Sequence, residues 1–439
     1  MNFSIEVKQQ LFSLIDEMDS CHWLFTKSPG KDFSRRKKWS FGEVVKFILS
    51  MEGKSLKDEL LEYFDFGNST PSNSSFNQRR AQILPETFEF LFHGFTDLFH
   101  KENAAYKGFQ LIACDGSDLC IACNPKDETT YFQSSPDVRG FNQMHLNALY
   151  DLGRRIYVDA LVQPGRQMDE DRAMCDMVDR YKGEKAIFIA DRNYESYNIF
   201  AHVEEKGMYY LIRVKDVHST GILKGLRLPQ SDEFDIWRRL TLTKKQTKEV
   251  KADKDKYRFV SSTSTFDYLD LHVNKFYELN LRIVRFPISE DVYECIITNL
   301  PRKGFSPEDI KQLYSKRWGI ETSFRELKYA VGLTRFHSKK TEYILQEIWS
   351  RLTLYNFCEI ITTAVIVKQK DMRKHTYQLN YTRAIRICCH FIAIKKEKIP
   401  PDVDVEYLIG HELLPVRTGR SDPRKVKVRS AISFLYRAA

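Results

Sequence analysis

At 439 residues the chain is longer than one hydrophobic core usually serves, so roughly three domains are expected. Its formal charge is +9 with a pI near 8.9, basic but not extreme, so the placement of the cations matters more than their number. Nine scattered cysteines and no N-terminal run resembling a signal peptide point to a reducing, cytoplasmic setting, and no apolar run approaches the 18 or so residues that span a bilayer, which excludes membrane insertion.

Residues 1–105 read as helices. SFGEVVKFILSM and SLKDELLEYFDF carry apolar residues at helical spacing, and the polar loop GNSTPSNSS, with Thr70 as cap before Pro71, leads into FNQRRAQIL. The basic run Arg35, Arg36, Lys37 and Lys38 precedes these helices, and Arg79 and Arg80 lie on the last of them. This pattern suits a helix-turn-helix-like DNA-binding domain, with a solvated helical bundle as the plain alternative.

From residue 106 the period changes. FQLIACDGSD is an apolar strand expected to end in acid, MHLNALYDLGRRIYVDALVQ is a hairpin about Gly153, and QMDEDRAMCDMVDRYKG is a helix. KAIFIADRNYES is a second apolar strand that stops at an aspartate; 195–206 is helical and MYYLIRVK is a further strand. Residues 216–290 lose this rhythm and suggest a β-rich inserted subdomain. The host pattern resumes over 291–340 with VYECIITNLP and, after Pro307, a helix carrying YSKRWGIETSFRELK. Beyond 340, TEYILQEIWSRLTLYNFCEIITTAVIV is an apolar helix that should dock on the core, and the region 341–439 ends in a tail from Pro415 with seven Lys or Arg against one acid, suited to phosphate contact or to simple solvation.

Three carboxylates stand out. Asp115 and Asp191 close apolar strands, and ligands of open α/β sheets gather at the carboxyl ends of strands. Glu321 lies on a helix expected to pack over the same sheet. Together they would make a hard-oxygen site for Mg²⁺, and two such ions about 3.5–4 Å apart serve phosphodiester cleavage or transfer. Each aspartate taken singly could be a turn or cap residue, and Asp118 and Asp159 are rivals. On a helix turning about 100° per residue, Arg317, Glu321 and Lys328 fall within about 60° of Tyr314. Such a face could equally be solvated and stitched by an i, i+4 ion pair. The CxxC of Cys120 and Cys123 has no second well-spaced pair, so thiols are expected there in preference to zinc.

Tyr314, Arg317, Glu321 and Lys328 match the Tyr-x2-Arg-x3-Glu-x6-Lys signature of a class of bacterial insertion-sequence DDE transposases, which the chain resembles from about residue 35 to 430. DGS at 115–117, DRNY at 191–194, TNLP at 298–301, RFHSKK at 335–340 and DPRKVKVR at 422–429 resemble that class's other blocks in order. The resemblance implies an α/β fold: an RNase H-like catalytic core with a β-rich insertion, an all-α N-terminal DNA-binding domain and a helical C-terminal region. It makes Asp115, Asp191 and Glu321 the catalytic metal ligands for two Mg²⁺ ions, with Mn²⁺ able to substitute. Tyr314, Arg317 and Lys328 would hold phosphates, and Arg192, Arg325, Arg79 and Arg80 would touch DNA. Cut-and-paste transposition of its own element through nicking, hairpin formation and strand transfer is implied, on terminal inverted repeats and target DNA. A homodimer in a bacterial, nucleoid-associated setting is implied as well. A junction-cutting nuclease and a non-catalytic DNA-binding regulator are the alternatives. Asn193 departs from the glycine usual in the second block, and its tolerance of left-handed backbone would preserve the turn. Trp237 is the one tryptophan of the insertion and a weak candidate to receive a flipped base; Trp318 and Phe324 are expected to be buried packing.

Overall fold

The computed structural model describes residues 2–35, 38–100, 106–270, 272, 275–290, 292–369, 375–394 and 404–416. Arg36 and Lys37 of the basic run and the tail from Arg417 with its DPRKVKVR motif lie outside the described residues.

Five helices come first: α1 (Phe3–Ser20), α2 (Phe41–Ser50), α3 (Leu56–Tyr63), α4 (Asn73–Arg80) and α5 (Glu86–Phe99). Ser40, Ser55 and Ser72 each accept the third amide beyond them, so every one of α2, α3 and α4 starts on a serine cap. The expected cap at Thr70 is displaced two residues to Ser72, because Thr70 instead donates its hydroxyl to the Gly67 carbonyl.

The sheet is built from β1 (Gln110–Ile121), β2 (Tyr131–Phe132), β3 (Phe141–Asp151), β4 (Ile156–Pro164), β5 (Ala186–Ala190), β6 (Tyr209–Val214), β7 (Phe234–Thr243), β8 (Tyr257–Phe259), β9 (Tyr277–Ser289) and β10 (Val292–Thr298). Helices α6 (Glu170–Arg180), α7 (Tyr197–Glu205) and α8 (Lys248–Ala252) interrupt these strands. Strand order is β2-β3-β1-β5-β6-β10-β9-β7-β8, with β4 on β3. β1, β5 and β6 run parallel, and β3 is antiparallel to both β1 and β4. Residues 216–290 are β-rich as expected, and β9 pairs with the host strand β10 while β7 pairs with β9, so the strands of this insertion continue the central sheet.

The strand containing Asp115 does not end there. β1 pairs with β3 through Ile121, whereas its parallel pairing with β5 stops at Ala113 opposite Ile189. The hairpin turn also differs from expectation: the residue with left-handed backbone is Arg155 (φ 60), not Gly153, and the Asp151 carboxylate accepts the Gly153 and Arg154 amides to hold it.

Phe188 and Ala190 of β5 pack under α6 and α7, while Ile187 and Ile189 face α9 (Pro307–Ser315). α10 (Trp318–Tyr329) and the 24-residue α11 (Thr341–Ala364) cover the hairpin on that second side, and α11 is buried nearly all round by α1, α2, α5, β4 and the later helices α12 (Tyr381–Ala393) and α13 (Val405–His411). A two-stranded ribbon, β11 (Tyr377–Leu379) with β12 (Leu413–Pro415), closes this end. The N-terminal helices and the C-terminal helices thus share one apolar core. No helix among the described residues is long and apolar enough to cross a membrane.

Candidate active site

Asp191 follows the last residue of β5 and caps the 3₁₀ turn Arg192–Tyr194, its carboxylate accepting the Asn193 amide at 2.8 Å. That turn is right-handed, so Asn193 stands where a glycine is usual without needing positive φ, which corrects the left-handed expectation. Continuing the β1/β5 register by two residues sets Asp115 opposite Asp191, and the alternation of both strands turns the two carboxylates to the α9/α10 side. Asp115 therefore lies at a strand end on one flank and mid-strand on the other.

Glu321 arrives on α10. Ile320, Ser323, Phe324 and Leu327 bury that helix's inner side, Ser323 shares a 2.8 Å hydrogen bond with the Tyr157 hydroxyl, and Glu326 meets Arg155 at 3.2 Å. Gly319 admits the hairpin tip, since a Cβ there would stand 2.7 Å from Leu152. The stretch expected as a single helix is two. Lys316 and Arg317 stay helical in φ and ψ but bond three residues back, a 3₁₀ tightening that separates α9, with Tyr314, from α10.

Arg317 is 6 % exposed and lies between the acids, its guanidinium donating to Glu321 at 2.8 Å and standing 3.9 Å from Asp115. Burial, reinforced by the charges of Asp191 and Glu321, pushes the Asp115 carboxyl up to about 7 against the opposing pull of the Gly116 amide and Arg317. The Tyr314 ring faces Arg317 at 5.8 Å and is buried near Arg213 and Glu294; its hydroxyl is raised by burial. Lys328 donates to the Asp118 carbonyl at 2.8 Å and is lowered by burial. Arg192 and Arg325 are exposed beside the site.

Among the described residues no three His, Cys, Asp or Glu side chains stand grouped closely enough to hold a metal ion as they are placed. The chemistry of the set still suits a hard divalent cation: three carboxylates on separate elements, one driven toward neutrality by burial and by the other two acids, with a single guanidinium as the nearby positive charge.

The rival acids have other partners. Asp159 receives both guanidinium arms of Arg180, and Asp118 meets His145. Sequence reasoning missed this last group: His145 Nδ1 is 2.8 Å from Asp118 and Nε2 3.0 Å from Glu170, and the three positions are too far apart in the chain to signal one another. Burial would lower His145, but the hydrogen bonds to Asp118 and Glu170 prevail and lift it to about 9. Gly116 is required beneath the cluster, because a Cβ there would come within 2.4 Å of His145 and Glu170.

Two expectations about cations and aromatics are corrected. Arg80 is 1 % exposed and pairs with Glu347 at 3.0 Å, also donating to Gln346 and the Tyr343 carbonyl; Arg79 is buried over the Phe33 ring and donates to Gln82. Both arginines are held inside by protein partners. Trp318, expected in the core, is 53 % exposed with Arg317 over its ring, whereas Phe324 is buried. Trp237 on β7 is partly exposed.

The family model for the transposase DDE domain matches residues 108–357, which contain the three acids and every strand between them. The chain belongs to the transposase DDE-domain family. The transposase for insertion sequence element IS231E of Bacillus thuringiensis subsp. finitimus is 21% identical over 345 residues, covering 71% of this chain and 69% of that protein. The transposase for IS231C of Bacillus thuringiensis subsp. berliner is 20% identical, with 97% and 95% covered. Among solved structures, the cryo-EM structure of the piggyBac transposase synaptic complex with hairpin DNA overlays with a TM-score of 0.47 at 11% identity, covering 95% of this chain and 87% of that one. As a member of this family the chain is a transposase, an enzyme that cuts and transfers nucleic acid strands.

Proposed function

We propose that this transposase excises and inserts its own insertion sequence by metal-dependent hydrolysis and strand transfer of DNA, with Asp115, Asp191 and Glu321 as the metal ligands. The observation that carries this reading is the β1/β5 register, which continued two residues past its last pair sets Asp115 opposite Asp191, facing the helix whose Glu321 shares their electrostatic field. The strand order β4-β3-β1-β5-β6, with β3 alone reversed against both neighbours, supports an RNase H-like core.

Two Mg²⁺ ions bound by these carboxylates would activate a water or a 3′-hydroxyl and steady the leaving oxygen of a phosphodiester. Arg317 now pairs with Glu321 and stands 3.9 Å from Asp115; with the metal bound, its planar fork would be free for a DNA phosphate. Tyr314 orients that guanidinium through ring contact. Lys328, tied to the Asp118 carbonyl, holds a phosphate on the opposite side of Glu321, and Arg192 and Arg325 extend the positive rim. Terminal inverted repeats are the DNA substrate, and two paired ends require two copies of the chain.

The test incubates the purified chain with Mg²⁺ and duplex DNA from the borders of its element, beside Asp191→Ala. End-specific nicks and hairpins that fall at least about 100-fold in the variant support the reading, since even an outer-shell partner of a metal site is worth 10–100-fold. Equal cleavage by both proteins, or cleavage only at branched DNA, overturns it.

A further inference from the structure

The helix α4 has two unlike sides. Phe76 anchors it by packing on Trp39 and Phe47, with ring centroids 5.5 and 4.8 Å away, and Arg79 and Arg80 turn to the same inner side and are used there. What faces outward is Asn73, Ser74, Asn77 and Gln78, all exposed. This side carries no charge, in a chain where 29% of residues are charged, and its asparagines are poor helix formers that propensity alone would not select. A solvated helix face gains nothing from such a choice.

The cations lie just beside it. Phe33 lies under the Arg79 guanidinium, Lys38 Nζ donates to the Ser69 carbonyl (2.9 Å) just ahead of α4, and Lys31, Arg35 and Lys38 are exposed. Neutral amides carry a donor and an acceptor on one rigid plane, the match for the adenine N6/N7 edge, and a helix of this width enters the major groove of a duplex. Flanking cations are where the phosphates of that groove would run.

We infer that the outward face of α4 is a base-reading surface for duplex DNA, with Asn73, Ser74, Asn77 and Gln78 contacting base edges in the major groove and Lys31, Arg35 and Lys38 holding the adjacent phosphates. This rests on the reading above that the substrate is DNA, and it assigns sequence recognition to the amides and not to the arginines of the same helix.

The full chain, Asn77→Ala, Gln78→Ala and Lys38→Ala are compared for binding to duplexes from the element's borders and to scrambled duplexes of equal length, across a salt series. The amide variants, whose helices are if anything favoured by alanine, are expected to lose roughly tenfold in affinity for the border duplex, keep their affinity for the scrambled one and keep the wild-type thermal midpoint. Lys38→Ala is expected to weaken both duplexes alike and lower the salt slope by about 1. Amide variants that discriminate as the wild type does, or that weaken both duplexes equally, overturn the assignment. Metal-dependent border cleavage by the wild type separates the two claims: if it cuts while the amide variants discriminate normally, only the α4 assignment falls, and if it neither binds nor cuts, both do.

Discussion

Two helices of this chain carry the arginines that its sequence makes conspicuous, and they use them in opposite ways. In α4 the guanidinium of Arg80 is sealed against Glu347, which is 1 % exposed, and His337 and Glu59 continue the buried chain of charge from there. At the start of α10 the guanidinium of Arg317 meets Asp115 and Glu321, both partly open to solvent, with another acid beside them. The first is a buried network in which Arg80 and Glu347 answer one another directly; the second has more negative charge than one arginine can match. Charge that is fully balanced inside a core holds elements together, and charge left in excess at a surface attracts something else.

Replacing Arg80 should show the first half of this contrast at its largest. Arg80→Ala leaves Glu347 buried without its partner, and a loss of about 3–5 kcal/mol in unfolding free energy by chemical denaturation is expected; a loss under 1 kcal/mol would mean that Glu347 does not rely on Arg80. Acid should sharpen the same point. Burial opposes ionisation of Glu347, but Arg80 and His337 hold its carboxyl down to about 2, below the ordinary 4.5, so its contribution is present above about pH 4.5 and is lost as pH falls toward 2. The stability gap between wild type and a Glu347→Gln variant should therefore narrow across that window; a gap constant from pH 5 to 2.5 would show that Glu347 keeps its charge by no such coupling. The smallest effect on stability is expected at the second helix. Arg317→Ala should shift unfolding by about 1 kcal/mol or less, since its partners are partly solvated, while border cleavage drops by at least tenfold. A large destabilisation with cleavage intact would reverse the comparison.

Much of this was legible in the residues. The apolar run AIFIA stopping at Asp191 is a buried strand with both faces covered, and its end is where it reads. Pro307 behind Ser306 marks the start of α9 through a capping box. Asp115 was found by its motif, but its place inside β1 was not, because the length of that strand is fixed by β3, some thirty residues on. The orientation of α4 was likewise out of reach: the partner that turns Arg80 inward is Glu347, on a helix at the other end of the chain, and local spacing carries no trace of it. Trp318 reads as core by type, yet the 3₁₀ step at Arg317 resets the phase of the following helix and swings it outward. Residues whose surroundings are local were placed well, and those whose surroundings are assembled from distant segments were not.

β1 overshoots its parallel neighbour β5 by several residues while remaining bonded to β3. The acids accordingly sit on a step, walled along the β3 side by continuous backbone and open along the β5 side. On the proposed function, a strand brought to these acids meets the β1 backbone on one flank and the end of β5 on the other, an asymmetry set by strand length alone.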